Sequence, residues 1–331
     1  MSMERIAIPG TALCVSPLCL GGNRLGGALD RDRSFALLDA FVQAGGNFID
    51  TAHVYADWLP EVERSCSEKT IGRWLADRGL AGDVVVATKI GHPALGGRGG
   101  PRLDRASLRQ DVLEALDNLG RERLDLVYLH RDDPALPVED VLGVLEELRR
   151  DGLLSHYAAS NWTADRLREA DAAARRQGWD GFRANQAEWS LAERNPGSAA
   201  ADLCRMDAGM IEWHRATGTA AMPYSAQASG YFDKHAAGAV DAATARNYDS
   251  AENRWRAAAL LALAEHSGLT PTETMLALFR LAPFPIIPVV GCRDAAQVGS
   301  SFRGIGARLH GQQAAALLRV LGIADPIAAE D

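Results

Sequence analysis

Four residues have side chains well suited to catalysis: an acid, a phenol, an amine and an imidazole, from Asp50, Tyr55, Lys89 and His130. Three of the four short strings that carry them begin as an apolar run and end on an ionisable residue. A parallel strand has this appearance when it delivers a side chain from its carboxyl end into an active site. One such ending would mean little, but several in chain order describe a site that handles protons.

Each of the four side chains also has a structural interpretation. Asp50 could cap a turn, Tyr55 could pack half-buried, Lys89 could be a solvated strand end, and His130 could be a core histidine bonded to backbone. All four structural interpretations would have to hold independently. The joint pattern therefore favours catalysis.

Strand-like apolar runs alternate with amphipathic, helix-like segments along the chain, and this alternation predicts a parallel sheet. The predicted strands are Leu18–Leu20, Asn47–Ile49, Val84–Thr88, Leu124–Leu129, Ser155–Ala159, Arg183–Gln186, Ala220–Pro223 and Ile286–Pro288. The predicted helices include Arg33–Ala44, Glu68–Arg78, Ala106–Leu119, Val138–Arg150, Ala164–Gln177, Ala200–Thr217 and Pro271–Leu281. A hairpin is expected over Arg5–Val15.

Eight strands with intervening helices close most naturally as a (β/α)8 TIM barrel, an α/β fold whose chemistry lies at the carboxyl ends of its strands. A doubly wound sheet would need a G-x-G-x-x-G phosphate loop, and the glycines of Gly21–Gly27 lack that spacing. The polar segment Ser225–Trp255 exceeds ordinary connections and predicts a long functional loop. We expect residues 1–331 to form one domain.

Composition narrows the function classes. The net charge of −8 is spread along the chain, which argues against nucleic acid as a partner. The chain starts without an apolar signal core and has no stretch near the roughly 20 apolar residues of a membrane span, so a cytoplasmic protein is expected. Five scattered cysteines without a C-x-x-C pair predict neither disulfides nor zinc, and we expect no bound metal.

Several short motifs in order along Leu18–Gln297 make the chain resemble the aldo-keto reductase family of NAD(P)H-dependent carbonyl reductases. They are Gly45-x-Asn47-x-Ile49-Asp50-Thr51-Ala52-x-x-Tyr55, Ser67-Glu68, Thr88-Lys89, Asp125-Leu126-x-Tyr128-Leu129-His130, Ser160-Asn161, Gln186 and Tyr224-Ser225. The resemblance implies a (β/α)8 barrel and a catalytic tetrad of Asp50, Tyr55, Lys89 and His130.

The chemistry of the tetrad residues agrees with that assignment. Hydride arriving at a carbonyl carbon leaves charge on oxygen, and this oxygen needs a proton. A tyrosine with its ordinary pKa near 10 needs a neighbouring ammonium to bring it toward working pH, which Lys89 can supply. Asp50 would keep Lys89 charged, and His130 can donate a hydrogen bond to the carbonyl oxygen.

For the cofactor, the resemblance implies contacts from Ser160, Asn161 and Gln186 to the nicotinamide carboxamide, stacking by Tyr224, and a pyrophosphate contact from Ser225. Arg293 is the candidate for the 2'-phosphate of NADP(H), with Gln297 nearby, and NAD(H) is possible because Gly291 stands where some relatives have lysine. Ser300-Ser301 replaces a Glu-Asn pair that binds adenine in many relatives.

We expect a small carbonyl substrate, an aldehyde, ketone or keto-sugar, in a pocket rimmed by Asn23, Trp58, His92, Arg131 and Trp189. The same residues could run the reaction backwards as an alcohol or sugar dehydrogenase with Tyr55 as base. A slow nucleotide-sensing auxiliary subunit is the other alternative. A monomer or weak homo-oligomer is expected.

Overall fold

The structure is a computed structural model that describes residues 4–95, 100, 102–198, 202–309 and 312–322. Its strands are β1 (Ile6–Ala7), β2 (Cys14–Val15), β3 (Cys19–Gly21), β4 (Phe48–Asp50), β5 (Val85–Ile90), β6 (Leu124–Leu129), β7 (Leu154–Ser160), β8 (Ala184–Gln186), β9 (Ala220–Ala221) and β10 (Val289–Val290). Its helices are α1 (Arg31–Gln43), α2 (Cys66–Arg78), α3 (Arg105–Leu119), α4 (Val138–Arg150), α5 (Ala164–Gln177), α6 (Ala208–Thr217), α7 (Tyr231–Ala236), α8 (Ala242–Tyr248), α9 (Ala251–Ser267), α10 (Pro271–Phe279), α11 (Ala295–Gly306) and α12 (Gln312–Val320).

Strands β3 to β10 form one parallel sheet in the order β10-β3-β4-β5-β6-β7-β8-β9. The two ends of this sheet meet through a parallel bridge between Ala221 and Ile286, where the Ile287 N–H donates to the Ala221 carbonyl at 2.9 Å. The sheet therefore closes on itself, and the predicted (β/α)8 barrel is confirmed. The predicted N-terminal hairpin is confirmed as well, since Ile6 of β1 pairs antiparallel with Val15 of β2.

Alternation along the strands decides which side chains enter the barrel. In β6, Leu126 and Tyr128 belong to the small apolar cluster inside the barrel, whereas Val127 and Leu129 pack outward against the helices. Because successive strand residues face opposite sides, the residue that follows on the inner face is His130. The same parity places Asp50 two residues after the inward Phe48, and Lys89 two residues after the inward Ala87.

Most predicted elements shift by one or a few residues in the structure, and two of them differ more. Residues 200 and 201 of the helix expected over Ala200–Thr217 lie outside the described residues, and in the described part the helix begins at Ala208, where the Asp207 side chain caps it by accepting from the Met210 N–H. Before that cap, the Met206 N–H donates to the Glu188 carbonyl in an extended connection. The last strand lies at Val289–Val290 rather than Ile286–Pro288, because Pro288 has no N–H for a regular ladder.

The segment Ser225–Trp255, which the sequence predicted as a long functional loop, is largely helical in the structure. A 3-10 turn at Ala228–Gly230 leads into α7 and α8, and α9 begins at Ala251. The segment packs inward through the buried side chains of Tyr231, Phe232 and Tyr248. Its helices thus form part of the wall at the carboxyl end of the barrel.

Among the described residues, no helix is long and apolar enough to cross a membrane. Within the same ranges, no group of three or more histidine, cysteine and acidic side chains is arranged to hold a metal ion. All five cysteines are free.

Candidate active site

The tetrad side chains converge at the carboxyl ends of three adjacent strands. Lys89 Nζ donates to both Asp50 carboxylate oxygens at 2.6 Å and to Tyr55 Oη at 2.9 Å. Tyr55 follows β4 on a tight turn in which its N–H donates to the Ala52 carbonyl at 3.0 Å. Since Tyr55 Oη accepts from the ammonium, its own hydrogen is directed elsewhere, at present loosely toward Asp50 Oδ2 at 3.4 Å.

Burial dominates the protonation of this group. It raises the pKa of the Tyr55 phenol to about 12, with the Lys89 ammonium opposing and Asp50 reinforcing the rise. Burial alone would lower the pKa of Lys89, but the adjacent Asp50 and Tyr55 reverse that effect and the pKa is raised. Lys89 lowers the pKa of the phenol, in the direction expected from the sequence, but desolvation outweighs the ammonium and the net pKa of Tyr55 is raised.

His130 is neutral at physiological pH. Burial, with help from the positive charges of Lys89 and Arg131, holds its pKa well below the usual range. Its ring lies edge-on to Tyr55 with the ring centroids 6.0 Å apart. A neutral imidazole beside a phenol can donate one hydrogen bond to a substrate oxygen without competing for the proton of the phenol.

The tetrad lies in a cavity of about 630 Å³ that runs from the barrel mouth toward the start of α11. Thirteen predicted site residues line it: Asn23, Asp50, Tyr55, Lys89, His130, Arg131, Ser160, Asn161, Gln186, Tyr224, Ser225, Arg293 and Gln297. The structure thus brings all predicted catalytic and cofactor residues to one cavity.

Two of the predicted carboxamide ligands are already hydrogen-bonded within the protein. Gln186 Nε2 donates to Asp50 Oδ1 at 2.9 Å. The Asp50 carboxylate therefore accepts from Gln186 as well as from Lys89 and Tyr55. Asn161 adopts a positive φ of 60°, and its Oδ1 accepts from Tyr224 Oη at 2.9 Å. Both amides therefore support the tetrad and its wall in addition to any contact with a cofactor.

The far end of the cavity is lined by residues of α11 and the turn before it. The Arg293 guanidinium makes no hydrogen bond among the described residues, while the backbone N–H of Arg293 donates to Gln297 Oε1 at 2.9 Å. Ser300 donates to the buried Glu273 at 2.6 Å, and Ser301 donates to the Gln297 carbonyl at 2.8 Å. The serines that replace the Glu-Asn pair thus have their hydroxyl hydrogens engaged inside the protein.

The predicted substrate residues separate into three groups: lining the cavity, next to it, and buried in the core. Asn23 and Arg131 line the cavity, and Arg131 donates to Asp202 at 2.7 Å and to the His130 carbonyl at 2.8 Å. Trp58 and His92 lie just outside it: Trp58 is 53% exposed with its ring 6.4 Å from that of Tyr55, and the His92 ring is 4.7 Å from that of His130.

Trp189 does not reach the cavity. It is buried between Phe279 and Phe284, with ring centroids 5.5 and 6.4 Å away. Its predicted contact with substrate is therefore replaced by a packing role, since a large aromatic side chain is as useful to a core as to a pocket wall.

Several lining residues were not identified from the sequence. Gln227, Ser229, Asp233, Lys234 and Thr272 all border the cavity. The first four lie in the segment Ser225–Trp255, which the sequence predicted to be functional. The position of this segment directly after Ser225 could have identified them as lining residues. Thr272 comes from the first turn of α10 and carries no comparable signal.

Comparison with known proteins agrees with this architecture and site. A sequence model described as the Aldo/keto reductase family matches residues 17–321. The chain is 29% identical to norsolorinic acid reductase stcV of Emericella nidulans, over 95% of this chain and 80% of that protein. It is 28% identical to aldo-keto reductase ausK of Aspergillus calidoustus, over 92% and 78% of the two chains. It is also 32% identical to an aryl-alcohol dehydrogenase [NADP(+)] of Phanerodontia chrysosporium, over 59% and 53%.

The fold and the site define an oxidoreductase enzyme on a (β/α)8 barrel. The chain belongs to the aldo-keto reductase family.

Proposed function

We propose that this enzyme is an NADPH-dependent reductase that transfers a hydride to the carbonyl of a small aldehyde or ketone, with Tyr55 as proton donor. The observation that carries the proposal is the Asp50–Lys89–Tyr55 chain of hydrogen bonds, 2.6 and 2.9 Å long, at one end of the cavity. A protonated phenol at neutral pH suits the reductive direction, because reduction consumes a proton at the substrate oxygen.

The proton moves along a short path. As the carbonyl carbon gains two electrons, negative charge develops on its oxygen, and Tyr55 Oη transfers its hydrogen there. The resulting phenolate is stabilised by the Lys89 ammonium at 2.9 Å, which Asp50 keeps charged in a buried setting. His130 donates a hydrogen bond to the same oxygen and holds it near the phenol.

The residues along the cavity fit a nicotinamide dinucleotide. Bound NADPH would supply the hydride. Ser160, Asn161 and Gln186 lie beside the tetrad, where they can meet a carboxamide, and Tyr224 and Ser225 form the adjacent wall. Arg293 at the far end can form two parallel hydrogen bonds to a 2'-phosphate, which favours NADPH over NADH.

An aromatic carbonyl compound is the substrate class we favour. Trp58 and His92 flank the Tyr55 and His130 rings and provide flat surfaces next to the reacting position. A relative named as an aryl-alcohol dehydrogenase supports the same class. Aromatic and aliphatic aldehydes, ketones and keto-sugars should be compared, with kcat/KM highest for the aromatic compounds.

The test of the function is NADPH oxidation followed by absorbance in wild type and Tyr55→Phe. Loss of the proton donor should lower kcat/KM by roughly 10²- to 10⁴-fold with the affinity for NADPH unchanged. Tyr231→Phe is the matched control, because Tyr231 does not line the cavity and, within the described ranges, its hydroxyl donates only to Asp249 at 3.5 Å. Equal activity in the two variants would remove Tyr55 from the proposed role.

A further inference from the structure

We propose that Glu188 is a positioning residue for the part of the cavity wall formed by Tyr224 and Ser225, acting together with Arg194 and Tyr248. This inference rests on the proposed function, since it assigns Glu188 an effect on the binding of NADPH. Glu188 follows β8 and does not line the cavity itself. Its influence would reach the cofactor through backbone contacts with the wall.

The backbone of Glu188 lies directly beside that of Tyr224. The Tyr224 N–H donates to the Ala187 carbonyl at 3.1 Å, and the Trp189 N–H donates to the Tyr224 carbonyl at 3.2 Å. On its other side, the Glu188 N–H donates to the Cys204 carbonyl at 2.9 Å. Glu188 is thus held between the wall strand and the connection that leads into α6.

The Glu188 carboxylate is the centre of a buried polar group. Arg194 Nε donates to its Oε1 at 2.7 Å, and Tyr248 Oη donates to the same oxygen at 3.4 Å. The Arg194 guanidinium also lies 5.2 Å from the centroid of the Tyr248 ring. Glu188 and Arg194 side chains are only 4% and 16% exposed, so water does little to weaken their attraction.

This polar group reaches the cavity wall through the backbone of Glu188, which pairs in parallel with that of Tyr224, and Ser225 is the next residue along the wall. Ser225 has a positive φ of 53°, a conformation that costs a non-glycine residue about 1 kcal/mol or more and persists only when its surroundings hold it. Glu188, which is itself held by Arg194 and Tyr248, supplies part of these surroundings by fixing Tyr224, the residue before Ser225. The three side chains come from two separate segments, so together they fix the wall to α8.

A purely stabilising role is the weaker explanation of the ion pair. Burying two charges costs free energy that their attraction repays only partly, and apolar replacements of such pairs are often neutral. Glu188 Oε2 is moreover buried without a hydrogen-bond partner among the described residues, which adds to that cost. An ion pair between Glu188 and Arg194 that stabilises the fold so little, located next to the strained Ser225 backbone, is better explained as a device that positions the cavity wall.

The test compares Glu188→Gln and Tyr248→Phe with wild type by titrating NADPH against protein fluorescence. We expect the dissociation constant of NADPH to rise about tenfold in Glu188→Gln and severalfold in Tyr248→Phe, while kcat at saturating NADPH stays within about threefold of wild type. The conservative Glu188→Asp should recover part of the affinity. Tyr248→Phe removes one hydroxyl only and covers the case in which Glu188→Gln fails to fold.

The matched control is Glu193→Gln, which breaks an ion pair to Arg256 at 3.2 Å in the same connection but away from Tyr224 and Ser225. Equal NADPH affinity in the Glu188, Tyr248 and Glu193 variants would overturn the inference and leave the proposed function intact. A wild-type protein that does not bind NADPH would instead overturn the proposed function, and with it this inference.

Discussion

The Tyr55 phenol keeps its proton in the free enzyme because desolvation, reinforced by the Asp50 carboxylate, outweighs the Lys89 ammonium. The neighbouring ammonium reduces the cost of the phenolate but does not remove it, so the pKa stays at about 12. A residue in this state is prepared to donate a proton and poorly prepared to accept one. Reduction and oxidation by the same site should therefore respond differently to pH.

We expect the rate of alcohol oxidation with NADP⁺ to rise with pH from 7 to 10, approaching tenfold per unit, because the deprotonated fraction of Tyr55 grows at that rate below its pKa. Carbonyl reduction should show no such rise over the same range, since Tyr55 stays protonated. Initial rates in both directions at saturating cofactor give the comparison. An oxidation rate that levels off near neutral pH would point to a base other than Tyr55.

The Lys89 contribution can be separated in the same assay. Lys89→Met removes the charge that opposes the rise in the phenol pKa, so oxidation should fall below wild type at every pH. Lys69→Met is the matched control, since Lys69 pairs with Glu63 at 3.0 Å on the surface of α2. Similar losses in both variants would mean that the effect of Lys89 is not specific to the tetrad.

At the scale of elements, the apolar runs that end on ionisable residues were the most informative part of the sequence. In the structure, Phe48 and Asp50, Ala87 and Lys89, and Tyr128 and His130 are each two residues apart, and period-two alternation explains why the polar member of each pair enters the barrel. The net pKa of Tyr55 was not predictable in this way. It depends on how closely distant segments cover the phenol, and local sequence does not record that.

The errors in the sequence analysis have related causes. Ser225–Trp255 reads as polar and contains two glycines, yet it becomes largely helical because Tyr231, Phe232 and Tyr248 are buried against the barrel. Trp189 could have faced a pocket or a core, and Phe279 and Phe284, some 90 residues later, decide for the core. Both outcomes depend on long-range packing, which overrides local propensity.

Helices α2 and α3 pack closely at Gly72, and this contact can be tested by substitution. A β-carbon at Gly72 in α2 would overlap the Asn118 carbonyl oxygen and lie 2.9 Å from Leu119 Cα. Gly72→Ala should therefore lower the free energy of unfolding by about 1–3 kcal/mol through forced separation of the helices. Denaturant unfolding monitored by circular dichroism measures the change.

Gly143 in α4 is the control for this prediction. A β-carbon there meets only the Trp179 ring at 3.5 Å, an ordinary contact distance. Gly143→Ala should stabilise by about 0.5–1 kcal/mol, because alanine restricts the unfolded chain and favours the helix. The two substitutions are chemically identical, so effects of the same sign would contradict the account of the α2–α3 contact.

At the scale of the whole molecule, the barrel carries a buried base far from the tetrad. His214 of α6 is fully buried and stacks on Phe284 with ring centroids 5.3 Å apart. Its Nδ1–H donates to the Thr219 carbonyl at 2.8 Å, while Nε2 has no partner among the described residues. Burial lowers the pKa of His214 to about 4, only partly offset by the Thr219 hydrogen bond.

This difference between folded and unfolded pKa makes stability depend on pH. Between an unfolded pKa of about 6.5 and a folded pKa of about 4, the unfolded chain binds a proton that the folded protein does not, so stability is full above about pH 6.5 and falls as the pH decreases toward 4. At about 1.36 kcal/mol per unit, the loss is about 3 kcal/mol across this window.

We expect His214→Phe to remove that loss while keeping the stacking on Phe284. The variant should be less stable than wild type at pH 7.5, because the Thr219 carbonyl loses its donor, and the difference should shrink by about 3 kcal/mol by pH 4. Urea unfolding at several pH values provides the free energies. His266→Phe on the exposed face of α9 is the control, and a difference between wild type and His214→Phe that does not change with pH would show that His214 is not the group that titrates.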